Sequence, residues 1–260
     1  MLGNLWVSAS GMQTDSWRIT ALANDIANVN TPGFQALLPA TTNTAPLGVY
    51  AAGLAGGPPA VGAVLAGGGA TPAGLRLDLS PGGVRPTGRP LDLAVQGAGF
   101  FALRTAAGQT VYTRAGRFFV DSAGGVVDGA GRALLDLQGR AIRLPHGAGA
   151  PEVSLAGEVT ALVGGKRQGI AQIGLVLPTN AQGLVGVGVG TLAATPAAGA
   201  LHTFAPGRGP AGALHSGMLE GSNASLATLL PSLLSAQRAY QINARAFAVG
   251  LQMEQLANQL

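Results

Sequence analysis

"LANDIANVNTPGF", residues 22–34, carries a helical pattern up to Ile26 and then abandons it. Leu22 and Ile26 sit four apart on one helix face, while Asn28 and Asn30 are turn and cap residues. Thr31 is pushed toward extended backbone by Pro32, and Gly33 accepts a positive φ, so the helix stops here. Phe34 is left with no helix to belong to. Asn24, Asn28, Asn30, Pro32, Gly33 and Phe34 are therefore read as one turn motif.

Upstream, Leu5, Ala9, Met12, Ser16, Ile19, Ala23 and Ile26 alternate in steps of four and three, a heptad seam about 33 Å long at 1.5 Å per residue. Trp6 and Trp17 lie beside it and widen the apolar face beyond what one partner helix needs. The other end of the chain repeats the device. Across residues 222–260 the same spacing joins Leu226, Leu230, Leu233, Gln237, Tyr240, Ala244, Phe247 and Leu251. Pro231 lacks the N–H an interior residue would donate, so it is expected in the first turn of that helix.

Between the ends the period drops to two. "PLDLAVQGAGFFALR", "TVYTRAGRFFVD" and "GGVVDGAGRALLDLQGRAIRLP" read as short strands punctuated by glycine turns, with Asp121 and Asp128 as turn residues of neighbouring hairpins. "EVTALV" and "IAQIGLVL" add later strands, and "GVGVG" (186–190) reads as strand or turn because it lacks the spacing and following helix of a nucleotide loop. A sandwich or barrel-like domain is expected. The fold class is thus mixed α and β, with long terminal helices forming a coiled-coil-like element around a central all-β domain.

The expected divisions are residues 1–34 (helix and turn), 35–75 (a Gly/Ala/Pro-rich linker or extended region), 76–215 (the β domain) and 216–260 (the second helix). Residues 26–75 hold no charge, and 47–69 are long enough to be tested as a membrane span. The Pro58-Pro59 pair and many glycines in that stretch favour an extended linker, so no direct membrane insertion is expected.

Only 10% of the 260 residues are charged, and 42 glycines with 16 prolines point to turn-rich structure. The net charge of +4 is dispersed without a basic run, which argues against nucleic acid. With no cysteine, disulfides, thiol nucleophiles and thiolate metal sites are excluded. His146, His202 and His215 show no ligand spacing, and hydrolase-elbow and phosphate-loop motifs are absent. No enzymatic activity, metal or cofactor is expected. The start also lacks the pattern of a cleaved secretory signal, since the first cation is Arg18.

Four stretches in order, "GMQTDSWRITALANDIANVNTPGF", "GRPLDLAVQGAGFFALRTAAGQTVYTRAGRFFVDSAGGVVDGAGRALL", "GPAGALHSGMLEGSNASL" and "SAQRAYQINARAF", resemble the flagellar rod and hook family of axial proteins. The resemblance implies a structural subunit of the bacterial basal body, exported through the flagellar type III apparatus. It also implies a homo-oligomeric helical tube that transmits torque, with other rod proteins and hook subunits as neighbours and the β domain as the outer layer. At this length a rod protein, distal or proximal, fits better than a hook protein. A secreted adhesin-like β protein with a terminal coiled coil is the alternative outside the family, and it would need a seam at only one end. Leu5, Trp6, Met12, Ile19, Ile26, Leu233, Tyr240, Phe247 and Leu251 are the residues expected to build the assembly core; a private helical hairpin is the competing reading. The chain departs from the family at Gln35 and Ala36, where a basic residue commonly follows the turn.

Overall fold

The computed structural model describes residues 2–44, 47–48, 65–66, 68–257 and 259. The chain divides into two compact units: Met1–Ala27, Leu37–Arg76 and Leu226–Leu260 form one, and Asn28–Ala36 with Leu77–Ser225 the other.

The first unit holds α1 (Leu2–Ala27) and α2 (Leu226–Ala257). Leu5 lies against Gly250 and Gly11 against Asn243, so the two helices run antiparallel. In the segment expected to be an extended linker, Leu37–Asn43 pairs with Ala70–Leu77. Leu47–Gly48 pairs antiparallel with Leu65–Ala66, and the rest of residues 45–67 lies outside the described residues. The strand pair is tied to α1 by polar contacts: Thr14 Oγ1 donates to Ala70 O at 3.0 Å, and Ala70 N–H donates to Ser10 Oγ at 3.3 Å. Those threonine and serine side chains would be unremarkable on a free helix; here they satisfy strand backbone that the helix side would otherwise leave unpaired.

Two expectations about the second helix need correction. Its helical part begins at Leu226, because Met218–Glu220 is a strand paired with Val84–Pro86. Pro231 therefore sits inside the helix and not in its first turn. The N–H it lacks would have reached Ala227, and the neighbouring Ser232 hydroxyl donates to Thr228 O at 2.8 Å.

The second unit is β-rich. Nine strands form its main sheet, with Leu184–Gly188 at one end of the strand path and Phe118–Val120 at the other. Phe100–Arg104 lies centrally, paired with Thr110–Thr113, Ala133–Leu134 and Leu175–Pro178. A three-stranded sheet (Glu152–Val153, Glu158–Val163, Lys166–Gln172) and smaller pairs complete it. The core gathers Leu93, Val95, Phe101, Leu103, Phe118 and Leu134, and the Phe101 and Phe118 rings meet edge to face at 5.3 Å. The aspartates expected at turns are there: Asp128 Oδ1 accepts N–H groups from Ala130 and Arg132 at 2.9 Å each, and its other oxygen holds the Arg132 guanidinium at 2.6 Å. Asp121 and Asp136 repeat the turn on either side, so one local motif sets three consecutive chain reversals.

Candidate assembly interface

The face α2 turns toward α1 is not the seam read from the sequence. Leu229 and Ala236 are its buried residues, with Asn243 and Gly250 half-buried and continuing the row in steps of seven. Leu233 and Phe247, both half-buried, flank the row, so the predicted seam shares one column with the packed face and differs in the other. Tyr240 and Leu251 remain exposed, each at 41%. On α1 the buried residues are Ser10, Thr14, Asp15, Ala21, Leu22 and Asp25, whereas Leu5, Met12, Ile19 and Ile26 are half-buried and Trp6 is 59% exposed. Ser10, Thr14 and Asp25 face the strands, while Gly11 and Asp15 of α1 meet Asn243 of α2 and Leu5 meets Gly250, so small and polar groups take a large part in the contact between the helices. Close approach explains this: a Cβ on Gly11 would stand 2.7 Å from the Asn243 side chain, and one on Gly250 2.7 Å from Leu5.

Asp15 Oδ2 accepts from Asn243 Nδ2 at 2.9 Å, a polar link that fixes the register of the two helices. Asn243→Ala should destabilise the helical unit by about 1–3 kcal/mol, because the buried Asp15 carboxylate loses its donor; urea denaturation followed by helix signal checks this.

Asp25 lies buried in the last turn of α1. Both of its carboxylate oxygens accept the Leu37 N–H, at 3.1 and 3.0 Å, pinning the start of the first strand to the last turn of α1. Burial pushes its pKa up from 3.8 to about 6, against the opposing hydrogen bonds from Leu37 and Asn24. The folded chain then binds a proton more tightly than the unfolded chain. Stability contributed here is full below about pH 4 and is lost as pH rises through about 6. Asp25→Asn should remove that fall and leave the variant more stable than the parent above pH about 6, as thermal melts across this range would show.

The large apolar side chains of α2 face the other way. Leu234, Ile242, Val249, Met253 and Leu256, spaced by eight, seven, four and three, share one outward stripe, and Ile242 is 66% exposed. Arg238 and Arg245 stand exposed on that stripe. A self-contained hairpin would put its leucines and isoleucines inside and its aspartates outside. Here Asp15 and Asp25 are buried while Leu234, Ile242 and Leu256 are exposed.

The turn motif belongs to the β-rich unit from Asn28 onward. Thr31 N–H donates to Asn28 O at 3.0 Å, and Gly33 adopts φ +64°. Gly33 N–H donates to Glu220 O, and Asn223 N–H donates to the carbonyl of buried Phe34. Glu220 is itself buried against Arg114, with Nη1 to Oε2 at 3.3 Å, while its Oε1 accepts from Gly82 N–H at 3.0 Å. This buried pair spans 106 residues of chain and left no sequence signal. Gln35, standing where the resemblance leads one to expect a cation, is buried with its amide unpaired. Among the described residues no group of three metal-ligating side chains converges, and no helix is long and apolar enough to cross a membrane.

Residues 5–35 match the family described as "Flagella basal body rod protein", 94–161 the "Flagellar hook protein FlgE/F/G D1 domain" and 215–260 the "Flagellar basal body rod FlgEFG protein C-terminal". The flagellar basal-body rod protein FlgG of Bacillus subtilis is 34% identical over 254 residues, which cover 94% of each chain. The chain belongs to the flagellar rod and hook axial family. Relatives of the same description from Caulobacter vibrioides (31% identical, 98% of each chain) and Buchnera aphidicola from Acyrthosiphon pisum (27%, the full length of each) align across both helices and the β-rich unit. It is a structural subunit of the flagellar rod, and the matched stretches include the turn motif at one end and α2 at the other. Rod subunits work by assembling with other rod and hook components, a role that asks for contact surfaces and not for reacting groups.

Proposed function

We propose that this rod subunit polymerises with copies of itself into a helical tube through the faces its terminal helices turn away from each other. The observation that carries this is the inverted burial of α2: Ile242, Val249 and Met253 exposed, with Ala236, Asn243 and Gly250 inside. Apolar faces of this width on a structural subunit are covered by neighbouring subunits. A heterologous contact that does not close produces a filament, and many such contacts in parallel resist twist, as torque transmission between motor and hook requires. Of the residues expected to build the axial core, the exposed Trp6, Tyr240 and Leu251 and the half-buried Met12, Ile19 and Ile26 contribute to these faces, while Leu5 lies against Gly250 and Leu233 and Phe247 flank the row facing α1. Membership of the rod family supports a place in the rod, distal or proximal, and export by the flagellar type III route. Concentrating the purified full chain should give sedimentable tubes visible by electron microscopy; a chain that stays monomeric to its solubility limit overturns the reading.

A further inference from the structure

The chain passes between its two units at four points: after Ala27, after Ala36, after Arg76 and after Ser225. Asn223, within the β-rich unit, lies beside the last of them and reaches the segments that form two others. Its Oδ1 accepts the Ala36 N–H at 2.7 Å, and its Nδ2 donates to Asp78 O at 2.8 Å and to Ser80 O at 3.0 Å. Asp78 N–H donates to Ala36 O at 2.9 Å and closes the ring. Segments 187 and 145 residues away in sequence thus meet on one side chain. The position needs one acceptor and two donors on a short planar group; an aspartate carboxylate brings no donor and serine only one. Glu220 joins the same three segments a second time, with Gly33 N–H on its carbonyl and Gly82 N–H on its carboxylate.

We propose that the Asn223 carboxamide is a clasp that locks three of the four passages of the chain together. Each segment of the ring is bonded to both of the others, so releasing any one passage means breaking bonds to two. What the clasp serves rests on the rod reading: a twist that reaches one passage is shared by three, and no single stretch of chain carries it alone.

Trypsin reads the clasp directly. Arg76 is exposed, the Leu77 that follows it is buried, and the next two arginines precede Pro86 and Pro90, where trypsin does not cut. In the monomeric full chain, Asn223→Ala should raise the rate of cleavage between Arg76 and Leu77 at least tenfold, or about 1.4 kcal/mol of easier opening. Deuterium exchange at the Ala36 amide should quicken by a similar factor, while cleavage at the exposed Arg208 stays as in the parent. Asn223→Asp keeps the acceptor and loses both donors, so cleavage at Arg76 should rise with the Ala36 amide still protected. Unchanged cleavage at Arg76 overturns the proposal, as does exposure of both segments in Asn223→Asp. An equal rise at Arg208 also overturns it, because a chain that has simply unfolded is cut at both sites. No polymer enters this measurement, so its failure leaves the rod reading standing, whereas a parent chain that never polymerises removes that reading and leaves the clasp.

Discussion

A chain carrying Ile242→Glu and Val249→Glu should fold as the parent does and fail to polymerise. Both side chains are at least half exposed in the single chain, at 66% and 50%, so each change should shift its stability by no more than about 0.5 kcal/mol. In the proposed polymer the same positions would be buried against a neighbour. Each glutamate would there lose its hydration without a partner, at a cost of several kcal/mol. With about 1.4 kcal/mol per tenfold, two such penalties raise the concentration needed for assembly by more than about a hundredfold. Circular dichroism on heating would show an unchanged melt, and sedimentation at matched concentration would show the loss.

Gly33→Ala should act at the opposite level, on the fold of the β-rich unit. Gly33 holds φ +64°, and a Cβ there would lie 2.2 Å from the Ala115 backbone nitrogen. The left-handed conformation costs a residue with a side chain about 1–2 kcal/mol, and the collision must move the chain at Arg114 and Ala115, adding about 1–3 kcal/mol. The expected loss is therefore about 2–5 kcal/mol in urea denaturation. Because Gly33 N–H also reaches Glu220, the shift should loosen the buried Arg114–Glu220 pair. Glycine after Pro32 ends a helix and, in the same step, lets the chain pass close to a buried ion pair.

The two helices, the end of the first and the β character of the middle were legible because each rests on local rules: 3.6-residue apolar spacing, a proline beside a glycine, and aspartates that close their own turns. The packed face of α2 was not legible. Sequence reading assigns large apolar residues to the nearest partner, but in this unit small and polar residues such as Asn243 and Gly250 face α1 because the helices come close. Leu234 and Ile242 fall outside the four-and-three spacing that defines the seam from Leu226 to Leu251, so that spacing passed them over. The strands at Leu37–Asn43 and Ala70–Leu77 escaped for another reason. Their burial pattern does not alternate cleanly, since most of their residues are exposed, and pairing joins stretches separated by the uncharged Gly/Pro-rich region. Arg114 and Glu220 lie too far apart in sequence for any local rule to connect them.

The most direct measurement is the alkylation rate of a single cysteine placed on the outer stripe. Val249→Cys introduces the chain's one thiol at a position 50% exposed in the isolated subunit. In the monomer it should react as an open thiol, and in sedimented polymer at least a hundredfold more slowly. Equal rates in the two states would show that this face stays in water when the subunits assemble, and would contradict the account.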